Sequence, residues 1–245
     1  MIKSFGVIHG WNTFRTKYSR TKLGAVWEVV NYVIFVAAMG PLFGKLFRGD
    51  YIEYTYYLAH GLVVWQVINK YVTDSIGVYI SNTGYILNTS LSLTHYSISL
   101  FVTSVCNAII YFLTCVAITA FLGKAVFPVF LSLAMWVPLL IFLFYLGNVL
   151  GTVAVFFRDF IPLVTSLMTL LSFFTPIIWK KEYLSDMQWV LYINPFYPFI
   201  DGIRTVSMGS SPRVEIIFLQ LFYIVLFAIL SNLCRRYHPS VAKYL

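Results

Sequence analysis

The sequence predicts an all-α integral membrane protein with six transmembrane helices, an N-terminal amphipathic interface helix and an extracellular re-entrant helical segment between spans five and six. Two observations support this fold class. Hydrophobic residues make up 60% of the 245 residues and charged residues 11%, whereas soluble domains average about 45–50% apolar and 25% charged residues. Several apolar segments also approach the roughly 20 residues that a helix needs to cross the hydrocarbon core.

The N-terminal segment predicts a helix that lies in the membrane interface. Val7, Trp11, Phe14 and Tyr18 recur at spacings of four, three and four, which places them in one apolar and aromatic stripe. Such a helix presses its rings toward the acyl chains and holds its cations near phosphate oxygens. Two interpretations of the basic run near its end stay open, a positive-inside anchor for the first span and a docking site for an anionic lipid-linked substrate. The four cations are Arg15, Lys17, Arg20 and Lys22.

Six apolar segments follow, and we predict that each spans the membrane. They cover residues 27–47, 54–73, 97–122, 127–157, 160–179 and 216–233. The fourth contains Pro128 and Pro138, so we expect it to kink or tilt. The chain reads as one domain over residues 1–245. Its parts are the interface helix in residues 1–25, the six-span bundle in residues 26–235 and a cytoplasmic tail in residues 236–245.

The segment between the fifth and sixth spans is too apolar for a solvated loop and too interrupted for a span. Asn194, Pro195 and Pro198 break its apolar pattern. We predict a pair of short helices that dip back toward the membrane from outside. Irregular backbone at that depth is tolerated only against protein or a water-filled cavity.

The charges predict the orientation. Six spans put both termini on one side, and nine Lys and Arg residues fall on that side against seven on the other. Six of the nine acidic residues fall on the side that has seven. The positive-inside rule therefore places both termini in the cytoplasm.

Charged and aromatic residues within the spans suggest further features. Glu28 begins the first span, and Lys70 and Asp74 lie four residues apart on one face of the second, where we expect them to pair. Aromatic residues form 19% of the chain, and some could line a channel, since aromatic rings stack on sugar rings. Lipid contact and helix packing are the alternative explanations. The channel candidates are Tyr32, Phe35, Phe173 and Phe174.

The order of motifs resembles the permease subunit of ATP-binding-cassette polysaccharide exporters. That family has an RDI-type turn, a TPI or SPI helix end, and an NP element followed by an arginine. The matching strings are VFFRDFIPLVTSLMTLLSFFTPIIW at residues 155–179 and INPFYPFIDGIRTVSMG at residues 193–209. YSRTKLGAVWEVVN, residues 18–31, is similar to the family's basic, LG and W signature. Exporters of O-antigen look most similar, and capsule and teichoic-acid exporters are near relatives.

The resemblance implies a homodimer in the bacterial inner membrane, coupled to two copies of a cytoplasmic ATP-binding-cassette ATPase. ATP and magnesium would bind that ATPase, because GPLFGKL at residues 40–46 lacks the spacing and the Ser/Thr of a phosphate loop. The implied substrate is a polyprenyl-diphosphate-linked polysaccharide moving through a channel at the dimer interface. We expect this chain itself to bind no cofactor, metal or nucleic acid.

The resemblance also implies roles for individual residues. In GYILNTSLSLTHYSISL, residues 84–100, it implies a cytoplasmic connection that touches the ATPase. The coupling candidates are Gly84, Tyr85, Asn88, Thr94, Arg158 and Asp159. The candidates for an extracellular gate are Asn194, Pro195, Phe196 and Arg204. Leu87, Ser90 and Ser92 replace basic residues and a proline that the family often has in the connection.

Three rival functions stay open. A multidrug or small-lipid exporter permease of the same superfamily would share the fold. A membrane-embedded glycan- or lipid-modifying enzyme would usually need clustered acids or histidines, and the four histidines here are scattered. A structural scaffold is the third.

Overall fold

The computed structural model describes residues 5–19, 24, 26–47 and 49–245, apart from the side chains of residues 185 and 186. All regular structure in these residues is helical. The helices of the first half are α1 (Phe5–Ser19), α2 (Val26–Leu46), α3 (Tyr51–Ile76), α4 (Val78–Ser81), α5 (Thr83–Asn88) and α6 (Leu93–Phe121). Those of the second half are α7 (Phe127–Leu131), α8 (Leu133–Phe156), α9 (Phe160–Phe174), a 3₁₀ helix (Lys181–Met187), α10 (Trp189–Ile193), α11 (Tyr197–Ser207), α12 (Val214–Arg235) and α13 (His238–Val241).

Four helical segments within the described residues are long and apolar enough to cross a membrane. They are α2, α6, α7 with α8, and α12. The predicted all-helical membrane fold is confirmed to this extent. Helix α3 has 26 residues but is more polar than these four, and α9 is apolar but has only 15 residues. The count of six spans therefore stays a prediction.

Helix α3 forms the centre of the bundle, where α2, α6, α8 and α11 pack around it. Leu58, Val64 and Ile68 on this helix are fully buried. Some of its polar side chains, such as Thr55 and His60, are buried against protein, so α3 can be central in a membrane protein while less apolar than its neighbours. Tyr56 donates to the Ser207 carbonyl oxygen at 2.7 Å, and His60 Nδ1 lies 2.8 Å from the Tyr56 carbonyl oxygen.

Three pairs of glycines, each four residues apart, lie where helices approach most closely. The pairs are Gly6 and Gly10 on α1, Gly40 and Gly44 on α2, and Gly147 and Gly151 on α8. A Cβ atom added at Gly10 would lie 2.4 Å from the Ser99 carbonyl oxygen on α6. Small residues at this spacing let helix backbones pack together in lipid, where no hydrophobic effect drives helices together.

Helix α1 runs alongside the first part of α6 in the same direction. Gly6 faces the His95 carbonyl oxygen, Gly10 faces Ser99, and the Tyr18 hydroxyl donates to Asn107 Oδ1 at 2.9 Å. The first two residues of the predicted apolar stripe, Val7 and Trp11, are half exposed, so this part of the stripe faces away from α6. The glycines thus attach α1 to the bundle, and its position in a membrane interface stays a prediction.

The segment before α12 contains three short helices, where the sequence predicts a pair. The 3₁₀ helix, α10 and α11 follow one another, and α11 packs against α3, α7, α8 and α12. Most of α11 is buried. Its dip into the membrane from outside stays a prediction.

Candidate functional site

Polar residues gather at both ends of the bundle. The cluster beside α1, here called the α1 cluster, contains Lys17, Tyr18, Glu28, Lys70, Asp74, Asn107 and Tyr111. The cluster beside α11, here called the α11 cluster, contains Tyr57, Thr175, Pro176, Lys181, Asn194, Asp201 and Arg204. Both join helices that are far apart in the sequence.

Glu28 is the centre of the α1 cluster. Its carboxylate pairs with the Lys70 ammonium of α3 and accepts from the Tyr111 hydroxyl of α6 at 2.7 Å. The Tyr18 hydroxyl of α1 also lies 3.3 Å from it. One carboxylate at the start of α2 therefore holds three other helices.

The predicted pair between Lys70 and Asp74 is wrong. Lys70 pairs with Glu28, while Asp74 Oδ2 lies 3.8 Å from Lys17 Nζ. Their spacing does put both residues on one face of α3, but neighbouring helices supply nearer partners of opposite charge. The Lys17 and Asp74 side chains are both more than a third exposed, so this pair stabilises the protein little.

Of the four cations proposed for docking, two lie in the described residues. Arg15 and Lys17 are exposed on α1, whereas Arg20 and Lys22 lie outside the described residues. Lys17 borders a polar cavity of about 390 Å³ between α1, the end of α3 and α6. His9 lines the same cavity with its Nδ1 2.7 Å from Ser99 Oγ. Burial lowers the pKa of the His9 imidazole from its ordinary value, which favours the neutral ring.

The coupling candidates lie on the surface at the same end of the bundle. Gly84, Tyr85 and Asn88 are exposed on α5, and Arg158 and Asp159 are exposed in the turn between α8 and α9. Thr94 is partly buried at the start of α6. Beneath them lies one hydrophobic cluster formed by Val78, Tyr79, Ile86, Leu93, Tyr96, Val155 and Val241. A force applied to this surface would therefore act on α6, α8 and α13 together.

In the α11 cluster, the two motifs that identify the second half of the chain meet. Asn194 Nδ2 donates to Thr175 Oγ1 at 2.7 Å, and Asn194 Oδ1 accepts from the Phe196 amide at 3.0 Å. Arg204 Nη1 donates to the Pro176 carbonyl oxygen at 2.7 Å. The Asn and the Arg of the NP element thus hold the end of α9. Pro195 lies between them and is partly buried.

Arg204 also takes part in a buried charge network. Arg204 and Asp201 are each 3% exposed, and Arg204 Nη2 lies 3.3 Å from Asp201 Oδ1. Lys181 Nζ donates to the other Asp201 oxygen at 2.8 Å. The Arg204 guanidinium stacks over the Tyr57 ring, 4.0 Å from its centroid. The Arg204 guanidinium thus lies between the Asp201 carboxylate and the face of the Tyr57 ring. Both contacts stabilise a buried arginine, whose planar group can pair with a carboxylate and stack on a ring.

The channel candidates separate into two groups. Tyr32 is 1% exposed and donates to the Ala59 carbonyl oxygen at 2.8 Å, so it is enclosed by its own subunit and reaches no surface in this structure. Phe35 packs partly against the same core. Phe173 and Phe174 are exposed at the end of α9.

Several residues of both clusters were not among the predicted site residues. Asp201 and Lys181 were counted only for orientation, although their charge inside an apolar segment was visible. The glycine pairs were also missed, and the G-x-x-x-G spacing was the signal that could have found them.

The apolar helices, with charged side chains paired at both ends of the bundle, define a multi-pass membrane protein. The chain belongs to the family described as ABC-2 type transporter, whose model matches residues 7–208. It is therefore a transport subunit that pairs with an ATP-binding-cassette ATPase, and that separate partner hydrolyses ATP.

Two similar proteins are both named O-antigen export system permease protein RfbA, from Klebsiella pneumoniae. One is 26% identical over 215 residues, which cover 85% of this chain and 82% of the relative. The other is 25% identical over 217 residues, which cover 86% of this chain and 82% of the relative. The predicted resemblance to the exporter permeases is confirmed.

Proposed function

We propose that this chain is the transmembrane subunit of an ATP-driven exporter that moves lipid-linked O-antigen-type polysaccharide outward from the cytoplasmic leaflet. The observation that carries the proposal is its similarity, over most of its length, to two O-antigen export permeases. The proposal includes six spans, cytoplasmic termini, the bacterial inner membrane, and two ATPase copies that bind ATP and magnesium.

A channel between two copies of the chain fits the surface of α9. Leu163, Leu167, Leu170, Phe173 and Phe174 are all exposed on this helix. Their spacing puts them along one side, and a single subunit leaves that side uncovered. A second copy of the chain would cover part of this side of α9. The rings of Phe173 and Phe174, at the edge of the covered part, would contact sugar. A long polymer is too large for any enclosed pocket, so a channel with repeated ATP-driven steps suits this substrate better.

The cations of α1 would bind the diphosphate of the lipid carrier. Lys17 is free to change partner at small cost, because its contact with Asp74 is long and solvent-exposed. Arg15 is exposed one helical turn or less from it. With Arg20 and Lys22, which lie outside the described residues, the run would place up to four positive charges at the membrane surface.

The two ends of the bundle would then have separate tasks. The exposed residues of α5 and of the turn before α9 would contact the ATPase and pass its closure to the helices beneath. The α11 cluster would hold the outer end of the channel closed, because Asn194 and Arg204 attach the α10–α11 segment to the end of α9.

The function is tested with the permease and its ATPase reconstituted in proteoliposomes. We expect lipid-linked polysaccharide to stimulate ATP hydrolysis and to become accessible to a glycosidase on the opposite side. The permease alone, as a control, should hydrolyse no ATP. Stimulation by hydrophobic drugs and not by the glycan would contradict the proposal and favour a multidrug or small-lipid exporter. Stimulation only by a capsule or teichoic-acid carrier would correct the substrate class.

The docking site is tested by replacing Arg15, Lys17, Arg20 and Lys22 with glutamine. We expect surface polysaccharide to fall roughly tenfold or more, since each cation near a membrane surface attracts an anion by about 1 kcal/mol. Replacing Lys45, Lys124, Lys180 and Arg213 with glutamine is the matched control, because these four cations belong to the other predicted side. If the variant with all four substitutions in the docking site folds and exports polysaccharide at the unchanged level, the cations of α1 are not the diphosphate site.

A further inference from the structure

We propose that the chain binds an anionic phospholipid of the bilayer in a pocket at its C-terminal end. The pocket, here called the C-terminal pocket, lies between the ends of α8 and α12 and the short helix α13. Its volume is about 550 Å³, within the range of about 300–1,000 Å³ that is common for ligand pockets. This site is separate from the α1 cations, the α9 surface and the α11 cluster.

The walls of the C-terminal pocket are suited to an acyl chain. They are formed mainly by Phe156, Phe157, Tyr237 and Tyr244, with Val153 and Cys234 between them. Phe157, Tyr237 and Tyr244 are 69%, 61% and 56% exposed. Aromatic rings left this open are typical of the membrane–water interface. Both α8 and α12 belong to helices long and apolar enough to cross a membrane, and both end here.

Basic residues flank the walls of the C-terminal pocket in the sequence. Three cations are each next in sequence to a residue of the wall, and all three are exposed. They are Arg235, Arg236 and Lys243. The described residues form no ion pair with any of them. Residues 234–245 contain no acidic side chain, so these cations give the stretch a net positive charge.

The C-terminal pocket is already formed because α13 is attached to the bundle. Val241 is fully buried in the hydrophobic cluster beneath α4 and α5. His238 packs edge-on against the Tyr79 ring with centroids 6.1 Å apart, and its Nε2 lies 3.4 Å from Thr152 Oγ1. An apolar cavity whose walls are flanked in sequence by exposed cations complements a lipid with an apolar tail and an anionic phosphate.

The test uses the full chain with its ATPase in phosphatidylcholine nanodiscs that contain a trace of photoactivatable phosphatidylglycerol, its reactive group in the acyl chain. We expect cross-links on the peptide that contains residues 234–244. Replacing Arg235 and Arg236 with glutamine should lower this labelling at least about fivefold, since cations near the membrane surface attract anionic lipid. The matched control replaces Lys124 and Arg213 with glutamine and should leave labelling unchanged.

Two further arms separate the pocket from a general charge effect and from the transport substrate. The Cys234→Phe variant, which fills the cavity and keeps the cations, should also reduce labelling. Equal labelling by a phosphatidylcholine probe would overturn the proposal. Displacement of the probe by an equimolar amount of polyprenyl diphosphate would also overturn it, because the pocket would then bind the lipid carrier of the transport substrate. The labelling is also measured without the ATPase. If the ATPase, when bound, blocks labelling of this peptide, the surface is a protein interface, and the lipid proposal is overturned.

Discussion

Replacing Arg204 with methionine is expected to destabilise the subunit by about 3 kcal/mol, because a buried carboxylate loses a charged partner. Asp201 would keep only Lys181, and the Pro176 carbonyl oxygen would lose its donor. Methionine also removes the cation from the Tyr57 ring. The measurement is the midpoint of thermal unfolding of the purified protein in detergent, which should fall.

Two variants make this prediction specific to the charge network. Changing Asp201 to asparagine together with Arg204→Met should recover part of the loss, since the buried carboxylate that lost one of its two cations is then replaced by a neutral amide. Lys180→Met is the matched control, because Lys180 is near Tyr57 at 5.9 Å but has no ion pair in the described residues. An unchanged midpoint for Arg204→Met would show that the network contributes nothing to stability.

Replacing Gly10 with leucine is expected to detach α1 from α6. A Cβ at this position would lie 2.4 Å from the Ser99 carbonyl oxygen and 2.9 Å from the Val102 Cβ, so a backbone would have to move. Overpacking of this kind costs about 1–3 kcal/mol or more. The bonds from Thr103 to the Gly10 carbonyl oxygen and from Tyr18 to Asn107 would be lost with it. Hydrogen exchange followed by mass spectrometry should show faster exchange of the α1 amides.

The control for Gly10 is Gly77→Ala. Gly77 follows α3, and a Cβ added there meets nothing within 4 Å. This variant should keep the exchange rates of α1. Slow exchange of the α1 amides in Gly10→Leu would show that other contacts suffice to hold the helix.

Part of the α11 cluster could be anticipated from local patterns. The motifs at residues 155–179 and 193–209 were recognised as strings, and the structure joins them through Asn194, Thr175, Pro176 and Arg204. Sequence spacing alone led to the wrong partner for Lys70. An interval of four residues shows only that two side chains share a face of one helix, whereas Glu28 approaches Lys70 from a different helix.

Composition by itself determined that the protein is an integral membrane protein, because too few polar residues exist to cover a soluble surface. The order of its motifs determined the family. Only the tertiary structure decided that the more polar α3 is central and that Tyr32 is enclosed within its own subunit. It also decided that α1 is attached to α6 through two glycines. These features depend on contacts between residues far apart in the chain, and the apolarity of a segment gives no information about which helix will be its neighbour.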